Sequence, residues 1–430
     1  MNIIRELLNR LKNLPGISRR NSANRSFVDK FLWLLVLVLI TGFFLLRFTI
    51  RGGLGGDVTL VFAQWWEDQL DSPVLEELAG EFGKQNPEIT VQIEKKSRSE
   101  IQELLETAEH SPRQELPDIL SVDPYWGPSL LGALGQGEDA SSMVQIISFI
   151  SPLFYNIDLL QEAGFDRPPK NQTEFLSYVQ RINQTGTGMY GTGLALNSQD
   201  LQEVNRQLLS WIWAADNPET AEDFSFNSRQ SRSVLNFLKQ LGQNLYGNPF
   251  TMTGEELLAA FAEGKIGMMI GSIDGIRTLR TAMKGNFGIT TIPGTESYAR
   301  KPVFTLAGWY AGISKDTKHR EEALQFITFL KERAVSIAAA AYAIPGSGRR
   351  NPDQAKNDPH YAKAFDMYEA GEMIREISDL WNSSDYAALN LLIHTETELL
   401  FTDQTTPEQS AESLQQGWER ITGQRVQTAP

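Results

Sequence analysis

Short β patterns alternate with amphipathic helical patterns along most of this chain, and that alternation limits the possible folds more than any other feature. Residues 58–62 and 89–94 have strand patterns, whereas 74–82 and 99–108 carry apolar residues at helical spacing. A succession of this kind is typical of βαβ units, in which helices connect parallel strands. The sequence therefore predicts an α/β fold.

The alternation continues to about residue 345. Further strands are predicted at 118–122, 144–150, 266–270, 287–291 and 309–313. Further helices are predicted at 156–163, 173–182, 201–214, 229–241, 255–262 and 321–330, and the chain beyond 345 is predicted to be almost wholly helical. These elements extend over about 370 residues, and a single hydrophobic core does not usually extend over so long a chain. Two lobes are therefore expected.

A long apolar run precedes this body. Residues 31–46 contain no charged side chain, and 31–50 as a helix would extend about 30 Å, the hydrocarbon thickness of a bilayer. Seven basic residues lie before the run, so the positive-inside rule places residues 1–30 in the cytoplasm and the body in the periplasm or another extracytoplasmic space. We interpret 31–50 as an uncleaved, single-pass signal anchor in the cytoplasmic (inner) membrane and 51–56 as a glycine-rich tether. A buried core helix and a cleaved signal peptide are the alternatives.

The charge of the chain argues against nucleic acid as a partner. Residues 1–51 hold nine basic and two acidic side chains, a net charge of +7, although the whole chain has a net charge of −14. Residues 52–430 therefore carry −21. A body this acidic repels nucleic acid and anionic lipid surfaces.

The chain also lacks residues that several kinds of chemistry need. It has no cysteine, which excludes thiolate zinc sites, thiol catalysis, iron–sulfur ligation and lipidation on a cysteine. Its four histidines are scattered, and the glycine-rich stretch 186–191 follows a predicted helix instead of a strand, so it indicates a turn. We predict no metal, no cofactor and no enzymatic activity. A carboxylate pair of a hydrolase outside the cytoplasm is the enzymatic alternative.

Aromatic and acidic residues follow several of the predicted strands, at the carboxyl edge where open parallel sheets bind ligands. Flat aromatic rings fit the apolar faces of a sugar, and carboxylates fit its hydroxyl rim. Core packing is the alternative for each tryptophan. The candidate ligand-binding residues are Trp65, Trp66, Glu67, Asp123, Tyr125, Trp126, Trp211, Asp274, Trp309, Tyr310 and Trp381.

Three stretches of the chain resemble one known family. They are FYNIDLL at 154–160, AFAEGKIGMMIG at 260–271 and AGWYAGISK at 307–315, in the order in which that family has them. The sequence resembles the extracellular solute-binding proteins of ABC importers, in particular the family-1 carbohydrate binders. The residues of the second stretch also predict a local structure independently of the resemblance. Gly264 suits a helix end that needs positive φ, and the apolar run that follows suits a buried strand.

The resemblance implies a two-lobed α/β fold, the type II periplasmic-binding-protein fold, and the transmembrane helix predicted from residues 31–50 would precede it. Lobe 1 would comprise 57–148 and 293–348, and lobe 2 would comprise 152–288 and 352–430. The implied partners are a small-molecule solute, a carbohydrate by this resemblance, and the transmembrane subunits of an ABC permease. The chain would contact the membrane through 31–50.

Two departures from the family pattern affect the implied ligand. The chain between 118 and 144 is short, and Ser272, Ile273 and Asp274 stand where the family commonly has an aromatic residue. A smaller or more polar ligand than an oligosaccharide fits this pattern, and so does a site that has decayed. A sensor or scaffold with the same fold is therefore the alternative to a transport protein.

Overall fold

The computed structural model describes residues 58–70, 73–110, 115–123, 126, 128–135, 143–186, 188–198, 201–215, 225–296, 302–370, 372–374 and 386–422. The predicted anchor 31–50, the basic segment before it and the tether 51–56 lie outside the described residues. Within the described ranges, no helix has both the length and the apolar character that a membrane crossing requires.

The described strands form two sheets. In chain order they are β1 (Val58–Gln64), β2 (Ile89–Lys95), β3 (Ile119–Val122), β4 (Met143–Ser151), β5 (Leu153–Asn156), β6 (Tyr190–Thr192), β7 (Ile266–Ile270), β8 (Phe287–Thr290), β9 (Pro302–Ile313), β10 (Ile344–Pro345) and β11 (Glu372–Ile374). The first sheet has the order β10-β4-β9-β3-β1-β2, with β11 paired to β9, and the second has the order β6-β7-β5-β8.

Helices lie between most of these strands. In chain order they are α1 (Val74–Gln85), α2 (Arg98–His110), α3 (Pro128–Leu131), α4 (Ile157–Glu162), α5 (Gln172–Asn183), α6 (Leu201–Ala215), α7 (Arg229–Gly242), α8 (Gly254–Ala262), α9 (Gly275–Ala282), α10 (Arg320–Glu332), α11 (Ala334–Ala341), α12 (Pro352–Asn357), α13 (Pro359–Ala370), α14 (Tyr386–Phe401) and α15 (Pro407–Thr422). A 3-10 turn, Trp66–Gln69, follows β1.

Both sheets are mixed, whereas the βαβ pattern predicted parallel strands. β1 and β3 are parallel, as are β6 and β7, but β9 runs antiparallel to both β3 and β4. The reversal follows from the connectivity. The chain enters β9 after β8 of the second sheet, and not through a helical crossover from its neighbour in the first sheet.

The two sheets are joined where β4 continues into β5. Only Pro152 separates these strands, and its carbonyl oxygen accepts a hydrogen bond from the Gly271 backbone N–H at 3.2 Å. The backbone N–H of Ile273 donates to the Ile150 carbonyl oxygen at 3.1 Å. The residues that follow β7 of the second sheet are thus hydrogen-bonded to the segment where β4 of the first sheet continues into β5.

Local sequence explains how α8 ends and β7 begins. Gly264 has φ of 74°, a conformation that favours glycine, and its N–H donates to the Phe261 carbonyl oxygen at 3.0 Å. The Lys265 N–H donates to the Ala260 carbonyl oxygen, also at 3.0 Å, which completes a Schellman motif. All five residues of β7 are buried. The predicted helix end and buried strand are confirmed.

Beyond residue 345 the described part of the chain is mostly helical, as the sequence predicts, and β11 is the exception. β11 pairs in parallel with the start of β9, where Met373 lies opposite Val303. It therefore belongs to the first sheet, although it falls in a segment that was expected in lobe 2. β11 is only three residues long, and an alternating pattern of that length does not predict a strand.

Candidate functional site

The carboxyl ends of β1 and β3 lie at one edge of the first sheet. These strands are parallel and adjacent, with Phe62 opposite Ile119. Trp65 follows β1 directly, and Asp123 follows β3 directly. Because parallel strands end at the same edge, both side chains come to the position where open α/β sheets bind ligands.

β2 and β9 contribute to the same edge. The Lys96 N–H donates to the Gln64 carbonyl oxygen at 3.0 Å, so the ends of β1 and β2 lie together. Arg98, the first residue of α2, follows β2 after two residues. Tyr310 of β9 lies opposite Val122, the last residue of β3. Four strands therefore bring polar and aromatic side chains to one edge.

Arg98, Asp123 and Trp126 form the centre of this group. Two nitrogens of Arg98 donate to the same carboxylate oxygen of Asp123, Nε at 2.9 Å and Nη2 at 2.6 Å from Oδ2. The guanidinium carbon of Arg98 lies 5.7 Å from the centre of the Trp126 ring, a cation–π distance. Trp65 is half-buried, and its ring centre is 5.6 Å from that of Trp126. We call these four residues the edge cluster.

Tyr310 borders the edge cluster. Its hydroxyl accepts a hydrogen bond from Gln145 Nε2 at 2.8 Å. Burial, and secondarily the negative charge of Asp123, raise the pKa of Tyr310 to about 12. The Tyr310 hydroxyl therefore stays protonated at neutral pH and remains available as a hydrogen-bond donor.

Glu67 lies in the 3-10 turn after β1 and has an unusual protonation state. Its backbone N–H donates to Gln64 Oε1 at 3.0 Å, and Gln64 Nε2 donates to Glu67 Oε2 at 3.3 Å. The nearby Glu76 side chain, together with burial, raises the pKa of Glu67 from 4.5 to about 7. Near neutral pH this carboxyl group is therefore present in both its protonated and its ionised form.

Trp66 and Trp309 pack in the core instead of lining the edge. Their rings are stacked, with centres 5.1 Å apart and planes inclined by 4°, and their exposed fractions are 0% and 1%. Phe62 and Phe149 meet the stack edge-on. In this conformation neither ring offers a face to a solute, which favours the core-packing alternative for both tryptophans.

Trp211 is likewise a core residue, in the second sheet's layer. It is 1% exposed and lies between Phe175 and Phe237, whose ring centres are 4.8 and 4.9 Å away. This packing favours the core alternative here too. Tyr125 and Trp381, which were also predicted to bind ligand, lie outside the described residues.

Asp274 stands at the start of α9, close to the junction of the two sheets. It follows Ile273, whose backbone is bonded to Ile150 of β4. Asp274 Oδ1 is buried and accepts no hydrogen bond from the described residues. Within those residues, no hydrogen bond or ion pair connects it directly to the edge cluster.

Sequence reasoning missed two members of this edge, Arg98 and Gln145. Arg98 opens a helix after β2 and follows the same post-strand rule that selected Trp65 and Asp123, so the rule could have found it. Gln145 lies inside a strand that reads as apolar, and its contact with Tyr310 joins residues 165 positions apart. No local signal marks such a residue.

The edge cluster carries groups suited to binding a solute. Together with the bordering Tyr310, it combines an indole face, a guanidinium, a carboxylate and a phenol, which are groups that hold a polar ring-shaped solute. Among the described residues, no three histidine or carboxylate side chains are placed to hold a metal ion. Fold and edge together define a two-sheet α/β binding protein.

The family is shown by its sequence profile. The profile of the bacterial extracellular solute-binding protein family matches residues 144–363, half of the chain. The chain belongs to this family, whose members bind solutes and are not enzymes.

A curated relative extends this result. A protein of Deinococcus radiodurans described as "Probable ABC transporter-binding protein" is 19% identical over 264 residues, which are 55% of this chain and 61% of the relative. The chain therefore matches about three-fifths of the length of this relative.

Solved structures show the fold. The cyclic alpha-maltosyl-1,6-maltose binding protein of Arthrobacter globiformis superposes with a TM-score of 0.68 at 16% identity, covering 85% of this chain and 99% of its own. Maltose-bound MalE3 of T. maritima also gives 0.68, at 18% identity, covering 85% of this chain and all of its own. The predicted two-lobed periplasmic-binding-protein fold is confirmed for the body of the chain.

Proposed function

We propose that this protein is a membrane-tethered, extracytoplasmic substrate-binding protein of an ABC transporter. It captures a sugar or a related polyhydroxy solute between two lobes and delivers it to the transmembrane subunits of a permease. Membership of the solute-binding family and the likeness to an ABC transporter-binding protein support this proposal. The solutes for which the two similar structures are named, maltose and a cyclic maltosyl-maltose, support a carbohydrate.

The edge cluster is the observation that carries the proposal. Trp65 is half-buried and thus keeps part of its ring accessible, while Arg98 and Asp123 lie beside it with charged groups for hydroxyl binding. Aromatic faces beside planar hydrogen-bonding groups suit a sugar, which has apolar C–H faces and a hydroxyl rim. Glu67, Tyr310 and Asp274 are proposed as further contacts, together with Tyr125 and Trp381.

Capture requires the lobes to move relative to each other. We assign lobe 1 to 57–148 and 293–348 and lobe 2 to 152–288 and 352–430. The division of the strands between two sheets supports this assignment, with β11 as the exception. Closure needs only that the solute makes more contacts in the closed form than in the open form.

The proposal is tested by thermal unfolding of the full-length chain, purified in a sugar-free detergent, against monosaccharides, oligosaccharides, polyols and amino acids. A solute present at about 100 times its Kd stabilises the folded state by about 2.7 kcal/mol, which raises the unfolding temperature measurably. We expect one class of sugar to do so.

A matched pair of variants makes the result specific. Trp65→Ala should abolish the shift, whereas Trp418→Ala, a buried tryptophan of α15 outside the edge cluster, should lower the unfolding temperature but retain the shift. If the wild-type chain unfolds cooperatively and no compound shifts it, the proposal is wrong. The sensor or scaffold with a decayed site would then be the better hypothesis.

The proposed anchor has its own test. Bacterial membranes carrying the full-length chain are washed at alkaline pH, and the chain is then exposed to protease from outside the cytoplasmic membrane. After the alkaline wash, we expect the chain to stay in the membrane at full length. After the protease treatment, we expect its body to be digested. Recovery of a shortened, soluble chain would instead indicate a cleaved signal peptide.

A further inference from the structure

Arg98 and Asp123 form an ion pair inside the proposed binding site. Both Nε and Nη2 of Arg98 donate to Oδ2 of Asp123. The Arg98 side chain is 44% exposed, whereas the Asp123 side chain is 10% exposed. The guanidinium therefore faces the solvent side of the edge, and the carboxylate lies behind it.

Trp126 fixes the guanidinium from a second direction. The ring lies 5.7 Å from the guanidinium carbon of Arg98 and is itself 4% exposed, so it is held by the core beneath it. Arg98 Nη1 donates no hydrogen bond to the part of the chain that the structure describes. A positioned donor thus points away from Asp123, on a group whose charge is already compensated.

This arrangement has different consequences for neutral and anionic solutes. A hydroxyl group can accept from Nη1 without disturbing the pair. A carboxylate must either take the guanidinium from Asp123 or lie a few ångströms from the Asp123 carboxylate, and like charges at such a distance repel. Repulsion of the unwanted ligand is a common source of specificity.

We propose that the Arg98–Asp123 pair sets the charge selectivity of the site, so that it admits uncharged polyhydroxy solutes and rejects sugar acids. This inference rests on the proposed function. Asp123 is the determinant, because its charge cancels that of Arg98 in advance. Without that charge, Arg98 would be an unpaired cation beside the Trp126 ring and would attract an anion.

The test compares sugars that differ only by oxidation of one carbon. The probes are glucose with glucuronate, galactose with galacturonate and mannose with mannuronate, titrated calorimetrically into the full-length chain at low and at moderate salt. We expect the wild-type chain to prefer the neutral member of each pair that it binds. Asp123→Asn keeps the shape of the side chain and should shift the ratio of affinities toward the acid by about tenfold or more.

Two further variants complete the design. Arg98→Gln should weaken the neutral sugar without any gain for the acid. Asp366→Asn is the matched control. Asp366 lies on α13 and forms an exposed pair with Arg350, so this variant removes the same charge away from the edge cluster. It should leave the ratio of affinities unchanged. Circular dichroism and the unfolding temperature verify that each variant is folded.

These experiments distinguish a failure of the proposed function from a failure of the proposed charge selectivity. If the wild-type chain binds no probe and no other sugar, the proposed function fails and the inference fails with it. If the wild-type chain binds a neutral sugar but Asp123→Asn leaves the ratio of affinities unchanged, or if the wild-type chain prefers the acid, the charge selectivity is wrong although the chain still binds sugars. A shifted ratio that also appears in Asp366→Asn would show a general charge effect and would overturn the role of the pair.

Discussion

At the scale of single residues, two neighbouring tryptophans have different environments. Trp65 is half-buried at the edge of the sheet, whereas Trp66 is enclosed and stacked on Trp309. Trp66→Ala should therefore lower the free energy of unfolding by about 3–5 kcal/mol, the usual loss for a large buried side chain. Trp65→Ala should cost less stability but abolish sugar binding. Urea unfolding and calorimetric titration of both variants check this, and a Trp66→Ala chain with unchanged stability would contradict it.

Glu67 gives a prediction about pH. Its pKa is about 7 in the folded chain, above its ordinary value of 4.5, so the folded state binds the proton more tightly than the unfolded state. The resulting stabilisation is fully present below pH 4.5 and is lost as the pH rises through 7. Glu67→Gln resembles the protonated form, so at pH 8 it should be more stable than wild type by about 1–2 kcal/mol.

The same variant should differ little from wild type at pH 5. The measurement is the urea midpoint of both chains at pH 5, 6, 7 and 8. Glu76→Gln serves as the second variant, because it removes the main cause of the raised pKa and should flatten the same profile. Parallel pH profiles for wild type and Glu67→Gln would rule out the assignment.

At the scale of elements, the start of α5 depends on one carboxylate. Glu174 accepts from Arg167 through two nitrogens, at 2.7 and 3.0 Å, and from the Lys170 N–H at 2.9 Å. The bond from Arg167, then that from Lys170, lowers the pKa of Glu174 to about 2. The stabilisation is therefore present above pH 4.5 and is lost as the pH falls toward 2.

Glu174→Gln should accordingly reduce stability at pH 7 and have no effect near pH 2. Both side chains are partly exposed, which keeps the loss to about 0.5–1 kcal/mol. Thermal unfolding at pH 7 and at pH 2 measures the difference. A loss that is equal at both pH values would indicate a packing effect instead of a charge effect.

Elements with a strong local pattern could be predicted, and elements made by distant pairing could not. The sequence located β7 and its helix turn at Gly264, since a buried run and a positive-φ glycine are local properties. It found only the final residues of β9, because the strand begins at Pro302 through pairing with β4 and β11. In the same way, the pattern indicated which residues follow β1 and β3 but not that Trp66 and Trp309 would stack.

At the scale of the whole molecule, a polar triad joins segments from both sheets. Arg280 of α9 donates to Asp358, which also accepts from the Tyr342 hydroxyl at 2.8 Å. Tyr342 ends α11, which packs on β4 of the first sheet, and the helix of Arg280 follows β7 of the second. The Asp358 side chain is 4% exposed and the Arg280 side chain is 39% exposed, so a nearly buried carboxylate connects the layers through a partly exposed cation.

Arg280→Ala should therefore destabilise the chain by about 1–3 kcal/mol, because it leaves a nearly buried carboxylate without its cation. Lys265→Ala, which breaks an exposed pair with Glu263, is the control and should leave the urea midpoint nearly unchanged. If the two variants have the same midpoint, the triad contributes nothing to holding the two sheets together.

The buried stack of Trp66 on Trp309 has an optical consequence. Two indoles whose planes are inclined by 4° at a centre-to-centre distance of 5.1 Å have coupled electronic transitions, and a rigid chiral surrounding gives such a pair a strong ellipticity in the near ultraviolet. Trp211 and Trp418 meet their aromatic neighbours at steep angles instead. We therefore expect the near-ultraviolet circular dichroism spectrum to contain a signal from this pair that reports the unfolding of the first sheet without any attached label.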